Sequence, residues 1–272
     1  MPLGQKIGIV MCWSTEASVV WATVGVSASA YLWYKKEPPV MWMTIGYFSL
    51  MEIIQALSYP VLNQCELPRN QVLTLLGYLH IAFQPFFVNL MALHFIPAQV
   101  RARIMLPVMI ACGAVTMSLF MNVYPFEFAG TCDPRRALCG IDMCTVSGNW
   151  HLAWLLPLNG FGNPLSAFEI WGFRPFPHGM PGYAIVAFVL PAIYGSWRMA
   201  LYLLVSGPML AKLLTDNIHE QPAIWCLMAI AVSFAIIKTP LRRILKEERV
   251  MPWMRWTLRP PRSGDTEVPL DL

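Results

Sequence analysis

Two neighbouring stretches of the chain, Met41–Tyr59 and Gln71–Phe95, constrain the fold most, because each is long and apolar enough to cross a bilayer. A short link, Pro60–Asn70, joins them. A link of this length predicts an antiparallel helical hairpin. Inside a membrane such a hairpin needs further helices around it, because the polar side chains that it carries must face protein rather than lipid.

Both stretches carry polar side chains at depths where lipid would penalise them. Glu52, Gln55 and Tyr59 follow the spacing i, i+3, i+7 and therefore share one helical face. His80 and Gln84 share a face of the second stretch. With a rise of about 1.5 Å per residue, the hairpin brings Glu52 to about the depth of His80. An ionisable group in a membrane costs about 2.5–3.5 kcal/mol, so we expect these two to form a pair. Alternatively, Glu52 is protonated or hydrogen-bonded and only clamps two helices.

The composition indicates that lipid surrounds most of this chain. Of the 272 residues, 57% are hydrophobic and 12% are charged, and the mean hydropathy is +0.52. Soluble domains carry about 25% charged residues. The 11 Trp and 9 Tyr fit the aromatic belts of a membrane interface. We therefore predict an all-α integral membrane protein with a single bundle over residues 1–259 and a disordered cytoplasmic tail at 260–272.

Seven apolar segments fit the length, and the distribution of charge sets their orientation. Lys35, Lys36, Arg101 and Arg103 fall on one side, which the positive-inside rule assigns to the cytoplasm. The N-terminus is then outside and the basic C-terminal tail inside. Because topology explains that tail, nucleic acid is not expected as a partner. The predicted helices are 16–34, 40–59, 71–95, 104–123, 182–195, 197–215 and 222–238, and residues 124–181 are expected to form an outer cap.

The cap region leaves two arrangements of the fifth and sixth helices open. The apolar, Trp-rich stretch Asn149–Asn159 is too short to span directly and is typical of an interfacial or re-entrant helix. In one arrangement the chain breaks at Gly195. In the other, Tyr183–Val205 is a single helix and the Trp-rich stretch dips through the membrane. We favour the first, because it keeps Arg198 at an interface.

Four of the seven cysteines fall in outer loops on this topology and predict two disulfide bonds with three possible connectivities. One bond is expected to tie the link between the second and third helices to the cap. The alternative is a zinc site formed by Cys132, Cys139 and Cys144 with His151, but the spacings of these cysteines do not match zinc motifs, so no metal site is predicted. Cys112 and Cys226 lie within apolar helices as expected packing residues. The outer cysteines are Cys65, Cys132, Cys139 and Cys144.

The remaining signals exclude several classes of protein. His151, His178 and His219 are expected to face outward as loop residues. A retinal protein needs a lysine near the middle of its last helix, whereas Lys238 falls at the cytoplasmic end of the predicted one. An alkaline-ceramidase-like hydrolase needs several histidines and a carboxylate around zinc, and the match is weak. The sequence has no phosphate-binding glycine loop, haem-attachment motif or serine nucleophile elbow, and it does not identify a cofactor.

Five strings of the sequence resemble an uncharacterised family of bacterial multi-pass membrane proteins with no assigned activity. The resemblance covers most of the chain except the tail and part of the cap. It implies a bacterial inner-membrane location and nothing about chemistry. The strings are MCWSTEAS (Met11–Ser18), GYFSLMEIIQALSY (Gly46–Tyr59), NQVLTLLGYLHIAFQPFF (Asn70–Phe87), YGSWRMALY (Tyr194–Tyr202) and WCLMAIAVSFAIIKTPLRR (Trp225–Arg243).

The pattern favours binding or transport of a small or lipid-like molecule in a polar pocket under the cap, with or without linked proton movement. A buried carboxylate beside an imidazole has a shifted proton affinity, which suits a proton-coupled step. Two alternatives stay open: a membrane-embedded, metal-dependent hydrolase or oxidoreductase, and an accessory subunit of a larger membrane complex. The pocket is expected to be lined by Glu52, Gln55, His80 and Gln84, with Tyr59 and Tyr78 near its mouth.

Overall fold

The computed structural model describes residues 13–126, 143–159, 181–238, 240–247 and 250–253. Within these ranges the chain is mostly helical, as the composition predicts. The predicted tail at 260–272 lies outside them, as do much of the predicted cap and His178.

Four long helices come first, followed by a small hairpin of two strands and then by shorter helices. The elements are α1 Thr15–Tyr34, α2 Pro39–Ser58 with a 3₁₀ turn Tyr59–Val61, α3 Pro68–His94, α4 Ala98–Val123, β1 Cys144–Ser147, β2 Leu152–Leu155, α5 Pro181–Ala184, α6 Leu190–Ile193, α7 Trp197–Leu204, α8 Leu210–Leu214, α9 Gln221–Lys238 and α10 Leu241–Leu245. A π-helical turn, Ile185–Val189, joins α5 to α6, and another, Val205–Met209, joins α7 to α8. We call these continuous segments the 181–193 helix and the 197–214 helix.

Local sequence determines where the first helices begin. The side chain of Ser14 caps α1 by accepting a hydrogen bond from the N–H of Ala17 at 3.3 Å. Pro39 and Pro68 occupy the first positions of α2 and α3, where the missing N–H would have had no helical partner. Each helix therefore starts at a residue that suits a helix N-terminus.

Small residues let α1 and α2 approach closely. A Cβ atom on Gly25 would overlap the hydroxyl of Ser49, and one on Gly46 would lie 3.0 Å from the hydroxyl of Ser29. Small residues at helix interfaces are typical of membrane bundles. By length and composition, the helices Pro39–Val61, Pro68–His94 and Ala98–Val123 can cross a membrane.

The chain turns sharply between the 181–193 and 197–214 helices. Gly195 adopts φ +106°, which side chains disfavour, so glycine suits this position. The alternative of one helix across Tyr183–Val205 is therefore wrong. Arg198 follows the turn and donates a hydrogen bond to the carbonyl of Ile244 at 3.1 Å, so it lies at a helix end and not within the bundle.

The prediction of a helix in Asn149–Asn159 is wrong, because part of this stretch forms strand β2. The strand pairs antiparallel with β1, with Cys144 opposite Leu155 at one end of the ladder. The side chain of Trp154 is buried against α3, where a Cβ on Gly77 would lie 3.3 Å from its ring. A short apolar run suits a buried strand as well as a helix, and only the paired segment decides between them.

Hydrogen bonds identify two ends of the bundle. The hairpin end carries β1 and β2. At the opposite end, which we call the tail end, the N–H of Glu247 donates to the carbonyl of Phe95 at 2.8 Å. The indole N–H of Trp253 donates there to the carbonyl of Ile193 at 2.7 Å. The segment after α10 is therefore fastened to the ends of α3 and the 181–193 helix.

Candidate functional site

A disulfide bond between Cys65 and Cys144 ties the link after α2 to strand β1. This is the bond between link and cap that the cysteine pattern predicts. It holds the hairpin over the ends of α2 and α3. The other two candidates, Cys132 and Cys139, lie outside the described residues.

Asn70, buried at the start of α3, reinforces the same attachment. Its Nδ2 donates to the carbonyls of Val61 and Thr145, at 2.7 and 2.9 Å, and its Oδ1 accepts the N–H of Thr145 at 2.8 Å. The hydroxyls of Thr74 and Thr145 lie 2.6 Å apart. Buried side chains in the first turns of α3 therefore bond to strand β1.

The carboxylate of Glu220, at the start of α9, holds the turn of the hairpin. Its Oε1 accepts hydrogen bonds from the backbone N–H of Trp150, at 2.5 Å, and of His151. Its Oε2 accepts the N–H of Asn149 at 3.1 Å and the hydroxyl of Thr215 at 2.7 Å. Four donors therefore satisfy one buried charge, as in the backbone cradles that bind anions elsewhere.

His151 is buried beneath the hairpin, so the prediction that it faces outward is wrong. Its Nδ1 accepts the N–H of Leu152 at 2.8 Å. The hydroxyl of Tyr59 donates to the same nitrogen at 3.3 Å, so we assign the ring proton to Nε2. Burial lowers the pKa of His151 to about 3, which keeps the imidazole neutral. The ring of Trp13 stacks on it with centroids 5.5 Å apart.

Glu52 and Gln55 are fully buried one turn apart on α2. Among the described residues, no group makes a hydrogen bond to either carboxylate oxygen of Glu52, or to the amide oxygen or nitrogen of Gln55. Ser18 of α1 lies beside both the Glu52 carboxyl and the Tyr59 hydroxyl. The indole N–H of Trp13 donates to the Ser18 hydroxyl at 2.9 Å. We call these five side chains the Glu52 cluster.

The predicted pair of Glu52 and His80 does not form. Both residues lie in the described part of the chain, and no hydrogen bond or ion pair joins them. The His80 ring instead stacks on Tyr47, with centroids 4.1 Å apart, and Phe87 stacks on Tyr47 at 3.7 Å. Tyr47 precedes Glu52 by five residues on α2, so their side chains point about 140° apart around the axis. Matching their depth in the bundle therefore did not make Glu52 and His80 face each other.

Gln84 joins three helical segments. The hydroxyl of Tyr183 donates to Oε1 of Gln84 at 2.6 Å, and Nε2 of Gln84 donates to the sulfur of Cys226 at 3.0 Å. All three side chains are buried. Tyr78, by contrast, donates its hydroxyl to the carbonyl of Leu119 on α4 at 2.7 Å. Gln84 is therefore held by the 181–193 helix and α9, whereas Tyr78 is bonded to α4.

A groove of about 410 Å³ opens beside the bonded pair of Gln84 and Tyr183. We call it the Gln84 groove. Its walls come from α3, the 181–193 and 197–214 helices and α9. Gly207 makes room for one wall, because a Cβ atom there would overlap the indole of Trp225. The apolar lining includes Ile81, Phe188, Val189, Leu204, Pro208 and Trp225.

The predicted pocket residues are thus divided among different places. Glu52, Gln55 and Tyr59 belong to the Glu52 cluster, Gln84 lines the groove, His80 stacks on Tyr47 and Tyr78 binds α4. Sequence reasoning missed Ser18, Glu220 and Tyr183. Ser18 lies in an Ala/Ser/Gly-rich stretch without polar periodicity. The hairpin partners of Glu220 and the Gln84 partner of Tyr183 are distant in sequence. Within the ranges described, no three His, Cys, Asp or Glu side chains are grouped to hold a metal ion.

Comparison with known proteins gives a family and no activity. The model of a family of unknown function, DUF5765, matches residues 16–246. No curated protein and no solved structure matches the chain. The matched region begins in the first turn of α1 and ends just after α10, so it contains the Glu52 cluster apart from Trp13, the hairpin and the groove. The chain therefore belongs to the DUF5765 family, whose function is unknown.

Proposed function

We propose that this chain is a multi-pass protein of the bacterial inner membrane, with seven crossings, an outer hairpin end and a cytoplasmic tail end. The charge at the tail end supports this orientation. Arg242 pairs with Glu37 at 3.1 Å, so the loop with Lys35 and Lys36 lies at the tail end. Arg198 lies there as well. An excess of Lys and Arg on one side of a bundle is typical of the cytoplasmic side.

The outer surface of α4 supports contact with lipid. Leu106, Ile110 and Met117 lie along this helix with 69%, 63% and 54% of their surfaces exposed. Large apolar side chains that follow one another along a helix are not usually left in water. Acyl chains would cover them without any cost in hydrogen bonds, because all backbone groups of a helix interior are already paired.

The proposed activity is the binding of a small lipid-like molecule in the Gln84 groove. The bonded pair of Gln84 and Tyr183 inside an otherwise mainly apolar groove carries this proposal. Small-molecule sites usually measure about 300–1,000 Å³ and combine apolar walls with a few placed polar groups. The Gln84 groove has that size and that composition.

The lining indicates how such a molecule would lie. Phe188, Leu204 and Trp225 offer apolar contact along its length, which suits an acyl chain. The Tyr183 oxygen can still accept a hydrogen bond and the second N–H of Gln84 can donate one, which together suit a hydroxyl or a protonated carboxyl group at one end of it. A ligand with one polar end and one apolar end matches both parts of the groove.

Fluorescence quenching by brominated lipid tests this proposal. The full chain in detergent micelles is titrated with stearic acid that carries bromine atoms on its chain, and tryptophan emission is recorded. We expect a saturable quenching component from Trp225, because its indole lines the groove. Tyr183→Phe should weaken the apparent affinity about threefold to tenfold, as expected for one lost hydrogen bond.

Tryptophan variants separate groove binding from adsorption to the surface. The saturable component should vanish in Trp225→Phe and persist in Trp197→Phe, which changes a half-exposed indole next to the sharp turn at Gly195. Quenching that rises linearly with the lipid, or that is unchanged in Trp225→Phe, would show that the groove does not bind such molecules.

A further inference from the structure

We propose that the Glu52 cluster binds one small monovalent cation of the alkali series, with the Glu52 carboxylate as its counter-charge. Three buried oxygen atoms support this proposal: the two carboxylate oxygens of Glu52 and the amide oxygen of Gln55. None has a hydrogen-bonding partner among the residues that the structure describes. Buried polar groups in stable proteins are nearly always satisfied, so this site needs a further partner.

The available donor atoms suit a hard cation. Glu52 offers two carboxylate oxygens, Gln55 a carbonyl oxygen, and Ser18 and Tyr59 hydroxyl oxygens. Oxygen ligands of this kind favour hard cations over the transition metals, which prefer imidazole and thiolate ligands. His151 contributes no nitrogen through Nδ1, because that atom already accepts hydrogen bonds from Leu152 and Tyr59.

The side chains that carry these oxygens are neighbours. Ser18, on α1, lies beside both the Glu52 carboxyl and the Tyr59 hydroxyl, which project from α2 two turns apart. Gln55 occupies the helical turn between them, so its side chain starts within about 6 Å of that of Glu52. Trp13 covers the group, because its indole bonds to Ser18 and stacks on His151.

Charge limits the cation to a single positive charge. Glu52 is the one carboxylate of the cluster. On the hairpin side, Glu220 already has four hydrogen-bond donors for its charge, and Glu16 is exposed to solvent. A monovalent cation therefore leaves the buried group neutral, whereas a divalent cation would leave an uncompensated charge in a low-dielectric interior.

A cation explains more of the geometry than the proton that the sequence suggests. A proton on Glu52 would neutralise the charge and could be donated to a nearby amide oxygen, but no hydrogen bond joins the Glu52 carboxyl to the Gln55 amide in the described chain. A bound cation contacts the oxygens of both residues at once. This proposal does not depend on ligand binding in the Gln84 groove, so failure of one leaves the other standing.

Thermal unfolding in different salts tests the site. The full chain in detergent micelles is unfolded in lithium, sodium, potassium or choline chloride at matched ionic strength, with tryptophan emission as the signal. We expect at least one alkali cation to raise Tm saturably relative to choline, because a ligand that binds only the folded state stabilises it by mass action. Glu52→Gln should abolish this rise, and Ser18→Ala should reduce the apparent affinity at least about threefold.

Glu37→Gln is the matched control, because it removes a carboxylate that pairs with Arg242 at the opposite end of α1 and α2. It should leave the cation response unchanged. If Glu52→Gln does not fold, equilibrium dialysis of the wild-type chain against radioactive sodium tests the cation site instead. Saturable uptake of sodium would support it. Equal Tm in all four salts, together with no uptake of sodium, potassium or lithium, would overturn the proposed cation site. Glu52 would then be neutralised by a proton.

Discussion

The carboxylate of Glu220 accepts a 2.7 Å hydrogen bond from the hydroxyl of Thr215, five residues earlier in the chain. This bond spans the connection between the 197–214 helix and α9, and it orients the same carboxylate towards the turn of the hairpin. Since that turn carries His151 into contact with Tyr59, one acidic side chain positions the outer boundary of the Glu52 cluster.

Glu220→Gln should loosen the hairpin. The amide nitrogen cannot accept hydrogen bonds, so at least one buried donor loses its partner, at a cost of about 1–3 kcal/mol. We expect a lower unfolding temperature and faster hydrogen exchange of the backbone at residues 144–155. Glu66→Gln serves as the control, since Glu66 is exposed in the nearby link. Unchanged exchange in Glu220→Gln would contradict the role assigned to this carboxylate.

Removal of the disulfide bond should destabilise the folded chain. The bond joins residues 79 positions apart, and its loss frees a long loop in the unfolded state. For Cys65→Ser with Cys144→Ser we expect a loss of about 2–5 kcal/mol, measured as the change in unfolding free energy without reductant. Cys112→Ala is the control, because it removes a buried cysteine that is not in a disulfide bond. Reductant should lower the stability of this variant as much as it lowers that of the wild type. Equal stability of the double variant and the wild type would contradict the bond.

The neutral His151 should make stability fall in acid. Its pKa is about 3 in the folded chain because of burial, against about 6.5 when unfolded. Below about pH 6.5 His151 therefore binds more protons in the unfolded state, and its own contribution to stability drops by at most about 1.4 kcal/mol per pH unit until about pH 3. Its neighbours Tyr59 and Trp13 are uncharged in this range.

His151→Asn isolates this effect. An Asn oxygen can accept the N–H of Leu152 in place of Nδ1, and it takes up no proton. Unfolding temperatures measured from about pH 7 to about pH 5 should fall less steeply in the variant than in the wild type. Parallel curves would mean that His151 is already protonated or exposed in the folded chain.

Gly207→Ala should disturb the Gln84 groove. An added methyl group would overlap the Trp225 ring, which must then move from its place in the wall. Overpacking of this kind costs about 1–3 kcal/mol, and it should also reduce the saturable quenching by brominated stearic acid. Gly113→Ala is the matched helical control, because its methyl group would lie 3.8 Å from Phe86 and meet nothing closer. Full quenching in Gly207→Ala would argue against a groove at Trp225.

Features that belong to a single helix could be predicted well from the sequence. Apolar length predicts α2 and α3, and Gly195 marks a real break before Arg198. The spacing of Glu52, Gln55 and Tyr59 places them on one side of α2, where two of them are fully buried. The bond from Cys65 to the cap is likewise expected, since the predicted topology places these cysteines outside, where thiols pair.

Contacts between distant segments are where the sequence falls short. A helical hairpin fixes the depth of Glu52 and His80, but the rotation of each helix depends on what packs around it. Tyr47 takes the face of α2 that meets His80, so Glu52 turns to Ser18. No local sequence pattern predicts this rotation of α2, because it depends on the helices that pack around it.

By itself, then, the sequence determined a largely helical, lipid-compatible chain with polar groups buried on α2 and α3, because apolar content and periodicity are properties of single segments. Only the tertiary structure decided that Asn149–Asn159 contains a strand, that His151 is buried and that Gln84 meets Tyr183. Each of these depends on a partner brought from elsewhere in the chain by packing, and strand pairing and side-chain hydrogen bonds exist only once that partner is in place.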